Sequence, residues 1–240
     1  MSASAPELSV VLPAFNESES LPQVWSEVSA VLDQLARSAE VIFVDDGSVD
    51  ATPDIVRAFR AADPRVRLIR LAANAGLSAA LDAGFARARG GIIVTLDSDL
   101  QNDPRDIPRM LEALEGYDAV TGWRQRRDDP WLKRASSRIA NAVRNAITRE
   151  DVRDSACTLR VIRRGCLPCL PRFRGFHRFM PTLLRLAGCR VLELPVGHRA
   201  RRFGVSHYGI RNRAVVGFED LLAVRWMQKR WLRYEATEEP

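Results

Sequence analysis

Gly91-Ile92-Ile93-Val94-Thr95-Leu96-Asp97-Ser98-Asp99 is the stretch on which the reading of this chain turns. The run from Gly91 to Leu96 is short, apolar and rich in β-branched residues, which predicts a buried strand. Asp97 and Asp99 follow it directly. In open parallel sheets ligands bind in the crevice at the carboxyl ends of the strands, so these two carboxylates are expected to enter that crevice together. Hard oxygen donors of this kind suit Mg²⁺ or Mn²⁺ held against a diphosphate. An isolated Asp-x-Asp is more often a plain polar loop after a strand, and the neighbouring segments decide between the two.

Those segments alternate strand and helix signals. Strands are predicted over Leu8–Leu12, Glu40–Val44, Val66–Leu71 and Asp118–Thr121. Between them lie amphipathic stretches, the first with Leu21, Val24, Val28, Val31, Leu32 and Leu35 on one face. Thr52-Pro53 is read as a cap and first-turn proline opening the second helix, Leu77–Ala88 as the third and Asp106–Glu115 as the fourth. This rhythm predicts an α/β fold with a mostly parallel, Rossmann-like sheet covered by helices. Polar residues follow every strand: Asn16-Glu17, Asp45-Asp46-Gly47-Ser48, Asn74 with Gly76, Asp97 with Asp99, and Arg124. Five separate segments converging on one rim favour a nucleotide-type site over a scatter of surface polarity.

The second half is less regular. Trp131–Thr148 can form a helix bearing Leu132, Ala135, Ile139, Val143 and Ile147 among arginines, and Arg190–Pro195 reads as a strand. Val215–Arg233 is a further helix with Val215, Phe218, Leu222 and Trp226 on one face.

The 240 residues, 46% hydrophobic, fit one domain with a full core. Charge is divided unevenly. Residues 1–121 carry 10 arginines and no lysine against 19 acidic residues; residues 122–240 carry 26 basic against 11 acidic residues. The first half is therefore −9 and the second +15, which predicts an anionic partner for the second: nucleic acid, a phosphorylated substrate or a membrane surface. Lys133 and Lys229 are the only lysines. Cys157, Cys166, Cys169 and Cys189 form neither a secreted framework nor a zinc pattern. Residues 1–7 lack signal-peptide character, and the longest uncharged stretch, Leu71–Leu81, is too short for a span. The expectation is a cytoplasmic chain whose membrane contact is peripheral.

Several blocks together resemble the inverting family-two glycosyltransferases of the GT-A fold, and among them the polyprenyl-phosphate (dolichol-phosphate mannose-type) enzymes. They are Pro13-Ala14-Phe15-Asn16-Glu17, Val44-Asp45-Asp46-Gly47-Ser48-Val49-Asp50-Ala51-Thr52, Asn74-Ala75-Gly76 and Leu96-Asp97-Ser98-Asp99-Leu100-Gln101-Asn102-Asp103-Pro104, followed by Asp154 with Leu159-Arg160, and Arg201-Arg202-Phe203-Gly204-Val205-Ser206. Leu77 and His207 depart from the basic residues common at those places, and no transmembrane pair follows the domain. The resemblance implies a single domain over residues 1–240, with a nucleotide-sugar half (1–121) and a basic half (122–240) facing acceptor and membrane. It implies a GDP- or UDP-sugar donor and a polyprenyl phosphate or other glycan acceptor.

Within that frame Asp97 and Asp99, with Gln101, are assigned to Mg²⁺ or Mn²⁺, which would neutralise a departing nucleoside diphosphate. Asp45 and Asp46 can accept hydrogen bonds from base or ribose, beside Asn74 and Gly76. The resemblance gives Pro13, Phe15 and Glu17 to the base pocket, although Glu17 could instead pair with a nearby arginine. Arg124, Arg126 and Arg127 follow the fifth strand, where guanidinium forks can grip a lipid phosphate. Arg160 and Arg201 are further candidates for acceptor or diphosphate contact. The resemblance makes Asp154 an acceptor-side carboxylate; with Asp99 and Arg124 it completes the expected catalytic set. A phosphate acceptor, with its second pKa near 6, needs positioning more than proton removal. His177, His198 and His207 read as surface or packing residues.

Two alternatives stay open: transfer to a soluble or cell-envelope glycan, and, more remotely, a basic nucleic-acid-binding protein. The second leaves the acidic crevice idle and lacks stacking or helix-turn-helix motifs, so no nucleic-acid partner is expected. A homo-oligomer is compatible with the sequence.

Overall fold

The computed structural model describes residues 5–124, 141–200, 210–232 and 237. Four strands run parallel: β1 (Leu8–Ala14), β2 (Ala39–Asp45), β3 (Val66–Arg70) and β4 (Ile92–Thr95). Helices α1 (Leu21–Gln34), α2 (Thr52–Ala62) and α3 (Leu77–Arg87) connect them. A 3₁₀ turn at Pro104–Asp106 and α4 (Ile107–Glu112) lead to β5 (Ala119–Arg124), and residues 141–148 are helical (α5). Then follow β6 (Arg160–Arg163), a 3₁₀ segment at Phe176–Phe179, α6 (Met180–Leu186), β7 (Val191–Val196) and α7 (Ile210–Arg230). The sheet order is β3-β2-β1-β4-β6-β5-β7.

Every residue of β1 is buried, because helices cover both sheet faces. Val10, Leu12, Phe43, Val94 and Val161 pack under α1, α2 and α4; Val11, Ile42, Val44, Ile93 and Ile162 pack under α3, α6 and α7. This alternation along each strand is the pleat expressed as packing. On α1 the predicted face is the buried one, Leu21, Val24, Val28, Val31 and Leu32, each such side chain contributing roughly 1.5–3 kcal/mol on burial. Trp25 of α1 stacks on Phe59 of α2, ring centres 5.8 Å apart, and meets Phe43 of β2 edge-on.

One local expectation needs correction, the cap of α2, and two elements are decided only by packing. β6 runs antiparallel, inserted between β4 and β5. Its four residues are two arginines around Val161 and Ile162, too short a pattern to announce a strand, yet those two side chains fill opposite faces of the core. Thr52 does not cap α2: the N-cap is Ala51, and the Thr52 hydroxyl accepts the Glu17 N–H instead, at 2.9 Å. On α7 the face that packs carries Leu221 and Val224, whereas Phe218, Leu222 and Trp226 are exposed.

Candidate active site

The register of β1 on β2 places Ala14 opposite Asp45, and that of β1 on β4 places Val11 opposite Thr95, so the loops that follow these strands open on one rim. They are bound to one another. Ser98 donates its hydroxyl to the Pro13 carbonyl at 2.9 Å, and the Asp46 N–H donates to Ala14 at 2.9 Å. Asn16, in the left-handed region at φ 54°, donates its N–H to Ser48 Oγ and accepts the Val49 N–H on Oδ1. Phe15 is half-buried in this turn. Glu17 accepts the Ser20 hydroxyl at 2.8 Å, a partner at the start of α1.

Asp45 and Asp46 are both buried, and their carboxylates hold the loops. Asp45 accepts the Ser48 N–H at 2.9 Å and Arg70 Nε at 3.0 Å. Asp46 accepts the Ala75 N–H on Oδ1 at 2.8 Å, and the Gly76 N–H and Asn74 Nδ2 on Oδ2 at 2.9 and 3.0 Å. Burial raises the Asp46 pKa; the Ala75 and Gly76 N–H groups oppose the rise and the neighbouring Asp45 adds to it. Gly47, at φ 75°, lets the two loops touch: a Cβ there would lie 2.6 Å from Ala73 C and Asn74 N, so only glycine meets both demands. Asp45, Asp46, Asn74 and Gly76 therefore form one braced wall.

After β4, the Thr158 hydroxyl lies 2.7 Å from Asp97 Oδ2 and 2.9 Å from Asn102 Oδ1, and Asn102 Oδ1 accepts the Asp97 N–H at 3.4 Å. Asp99 is buried and accepts the Gln101 N–H at 3.1 Å. Leu100 between them adopts φ 63°, uncommon for a branched side chain and a mark of a constrained turn. Burial pushes the Asp97 carboxyl up to about 6, the Asp99 charge adds to it, and the Thr158 hydrogen bond with the positive charges of Arg160 and Arg124 pulls it back. Among the described residues no group of three or more His, Cys, Asp or Glu side chains is placed to hold a metal ion. Two carboxylates completed by a diphosphate are the arrangement Mg²⁺ accepts most readily, so the donor set fits a divalent ion shared with a nucleotide.

Arg124, ending β5, pairs with Asp154: Nε to Oδ2 at 2.6 Å and Nη2 to Oδ1 at 2.9 Å. Arg160, opposite both Thr95 and Thr121 in the sheet, is 1% exposed; its Nη2 donates to the Ser155 and His177 carbonyls. The predicted Arg126, Arg127, Arg201 and His207 lie outside the described residues.

Sequence reasoning gave Thr158 and Asn102 no role and read His198 as a surface or packing residue. Thr158 sits in a segment, residues 151–164, that reads as mixed loop and strand, and it carries no signal of its own. His198 does carry one. It follows β7, which runs parallel to β5, so the rule that polar residues after parallel strands line the crevice reaches it too. His198 bridges to Asn102 through the backbone and places Nε2 3.5 Å from Gln101 Nε2. The four cysteines are free, and burial raises the thiol pKa values of Cys157 and Cys166. No described helix is long and apolar enough to cross a membrane.

A helix-covered, mostly parallel sheet with an Asp-x-Asp at the carboxyl end of its fourth strand, facing a second acidic loop, defines a GT-A fold. The chain matches the family model described as Glycosyl transferase family 2 over residues 9–170 and belongs to that family. The undecaprenyl-phosphate 4-deoxy-4-formamido-L-arabinose transferase of Aeromonas hydrophila subsp. hydrophila is 38% identical over 205 residues, 85% of this chain and 63% of that protein. The protein of the same description from Edwardsiella ictaluri is 37% identical over 205 residues, with the same coverage. The chain thus spans less than two thirds of the length of these relatives. Among solved structures, glucosyl-3-phosphoglycerate synthase from Mycobacterium tuberculosis, with Mn²⁺, UDP and phosphoglyceric acid, superposes with a TM-score of 0.70 at 22% identity, covering 95% of this chain and 80% of that one. The same protein with Mn²⁺ and UDP-glucose gives 0.69 at 23% identity, covering 93% and 79%. At this identity the likeness is one of fold.

Proposed function

We propose that this protein transfers a sugar from a nucleotide sugar to the phosphate of a polyprenyl phosphate at the cytoplasmic membrane face, with inversion at the anomeric carbon and a divalent cation bound. The carrying observation is the position of Asp97 and Asp99, two residues apart just past β4, with Asp97 Oδ2 2.7 Å from the Thr158 hydroxyl and Asp99 buried. Two neighbouring carboxylates in a crevice repel each other and suit a doubly charged ion. The named relatives support the acceptor class, since each is described as an undecaprenyl-phosphate sugar transferase.

When bound, Mg²⁺ or Mn²⁺ supplies charge neutralisation for the leaving nucleoside diphosphate. Asp97 and Asp99 would hold it, with Gln101 beside them. The braced loops of Pro13–Glu17, Asp45–Asp46 and Asn74–Gly76 shape the pocket for base and ribose. Their carboxylates act mainly by holding N–H groups in place. Arg124, fixed by Asp154, puts a guanidinium where an acceptor phosphate would be drawn in. A phosphate oxygen is already a nucleophile at neutral pH, so Asp154 is assigned to orienting Arg124. The test is incubation with UDP- and GDP-sugars and a polyprenyl phosphate, with and without Mn²⁺. Metal-dependent appearance of a glycosyl phospholipid supports the reading. Transfer only to water-soluble glycans or phosphates would overturn the acceptor, and no transfer from any donor would overturn the activity.

A further inference from the structure

Thr158 lies four residues past Asp154 and two before Arg160, in the stretch that links the partner of Arg124 to β6. Its backbone is held without help from its own side chain. The Thr95 hydroxyl of β4 donates to the Thr158 carbonyl at 2.5 Å, and the Gly122 N–H of β5 donates to the next carbonyl, that of Leu159, at 2.9 Å. Cys157 and Leu159, on either side, are buried in the core that α1, α2 and α4 cover. The Thr158 hydroxyl is therefore left to act on its neighbours. It lies 2.7 Å from Asp97 Oδ2 and 2.9 Å from the Asn102 side chain, which also reaches the Asp97 N–H at 3.4 Å. A hydroxyl has one proton to give, and the shorter contact, to a carboxylate, receives it. Among the described residues Asp97 Oδ1 accepts no hydrogen bond.

We infer that Thr158 is a positioning residue for the divalent cation: its hydroxyl holds Asp97 by Oδ2 and leaves Oδ1 for the ion. This deepens the metal-dependent reading of the site and rests on it. Rotational freedom is what the contact removes. An aspartate carboxylate turns in a broad torsional well about its last bond, whereas Mg²⁺ demands near-ideal octahedral placement of its oxygens. A carboxylate anchored by one oxygen meets that demand before the ion arrives. Loss of such an outer contact typically weakens a metal site by about 10–100-fold. Thr158 is 61 residues beyond Asp97, outside the Asp-x-Asp loop it acts on. The segment that carries it also carries Asp154, which fixes Arg124. One stretch of chain thus sets both a carboxylate for the cation and the arginine assigned to the acceptor phosphate.

The test is calorimetric titration of the full chain with Mn²⁺, in the presence of UDP and, separately, of GDP. No sugar donor or acceptor is present, so binding is read apart from turnover. Thr158→Val, which keeps the shape and loses the hydroxyl, should weaken Mn²⁺ binding at least about tenfold, with a metal-free melting temperature near wild type. Thr158→Ser, which returns the hydroxyl, should recover most of that affinity. Thr158→Ala, which makes no packing demand, replaces the valine variant should that one fail to fold. In transfer assays the valine variant should raise the Mn²⁺ concentration for half-maximal rate by a larger factor than it lowers the rate at saturating Mn²⁺. Unchanged Mn²⁺ affinity in folded Thr158→Val or Thr158→Ala overturns the inference. An equal loss in Thr158→Ser also overturns it, since packing and not the hydroxyl would then be at work. Asp99→Asn, titrated alongside, separates the two readings. Retention of Mn²⁺ by Thr158→Val with loss by Asp99→Asn strikes positioning alone. Retention by both, or no Mn²⁺ binding by the wild type, strikes the cation assignment itself and positioning with it.

Discussion

Arg124 holds Asp154 with two parallel hydrogen bonds, at 2.6 and 2.9 Å, and adds its own backbone N–H to Oδ2 at 3.2 Å. The pair ties the end of β5 to a segment 30 residues further along the chain, just before β6. Both side chains are largely shielded from solvent. Removing one partner from a buried pair strands the other, at about 3–5 kcal/mol. Asp154→Ala should therefore lower the melting temperature by several degrees, and Arg124→Lys, which keeps charge but loses the fork, by less. Both should reduce transfer at least tenfold. Thermal melts beside steady-state assays check this, and an Asp154→Ala protein with unaltered stability and turnover would refute it.

The assignment of Asp99 to the cation gives a separate prediction. Asp99 Oδ1 accepts the Gln101 N–H at 3.1 Å, and an amide can still accept that bond. Asp99→Asn should fold with a melting temperature near wild type and lose Mn²⁺-dependent stabilisation together with transfer. Differential scanning fluorimetry with and without Mn²⁺ separates the two effects. A variant that keeps full metal-dependent activity would remove Asp99 from the site.

How far the sequence carried this reading differs by region. β1 to β4 and their helices are local in signal: each strand is a compact apolar run, each helix an apolar face with 3.6-residue spacing, and each connection short. The polar residues after these strands were legible for the same reason. β6 was legible only as mixed loop and strand character over residues 151–164, because two apolar residues between arginines are a strand only when β4 and β5 flank them. The partners chosen by the acidic residues were equally hidden. Asp45 and Asp46 look from sequence like ligand contacts, and the fold shows their oxygens receiving N–H groups from Ser48, Ala75 and Gly76. That Asp154 meets Arg124 is a long-range fact of the kind periodicity cannot express. The face of α7 bearing Phe218, Leu222 and Trp226 was visible as a pattern, and only packing shows that it is outward.

Glu40 makes the fold acid-sensitive at the end of the sheet far from the crevice. Its buried carboxylate accepts the Ser9 hydroxyl at 2.6 Å, the Arg89 N–H at 2.7 Å and Arg67 Nη1 at 2.6 Å. Burial alone would raise its pKa, but these donors together hold it below the ordinary glutamate value. The folded protein thus binds the proton less readily than the unfolded chain, whose glutamates titrate near about 4.3. The contribution is complete above that pH and is lost as pH falls through the lower folded-state value. Glu40→Gln should cost about 2 kcal/mol at pH 7 and flatten the stability profile below about pH 4.5. Denaturant titrations at pH 7 and pH 3.5 measure both; equal losses at the two pH values would exclude this role.

The braced wall of the pocket depends on Gly47. Gly47→Ala meets two obstacles, a left-handed backbone and a Cβ 2.6 Å from the Ala73–Asn74 peptide. The first costs roughly 1 kcal/mol; the second forces the loops apart and disturbs the Asp46 contacts to Ala75 and Gly76. The melting temperature should fall, and the affinity for a nucleoside diphosphate should fall more than tenfold. Isothermal titration with UDP and GDP in the presence of Mn²⁺ reads the affinity. A stable variant that binds as the wild type does would mean that the two loops need not touch.

The stereochemical outcome follows from where the carboxylates are engaged. Retention through a covalent glycosyl intermediate needs a carboxylate aimed at the anomeric carbon. The acidic groups described along the crevice have other work: Asp45 and Asp46 receive loop N–H groups, Asp97 takes the Thr158 hydroxyl, Asp99 the Gln101 N–H, and Asp154 holds Arg124. A phosphate acceptor supplies its own charged oxygen, so direct displacement from the face opposite the diphosphate needs no enzyme nucleophile. The product should then carry the opposite anomeric configuration to the donor: an α-linked sugar nucleotide should yield a β-linked glycosyl phosphate. The anomeric proton coupling in the NMR spectrum of the isolated product decides this, read before any spontaneous hydrolysis. A product with the donor's own configuration would require a glycosyl-enzyme step, and trapping that adduct on one of these aspartates would replace single displacement as the mechanism.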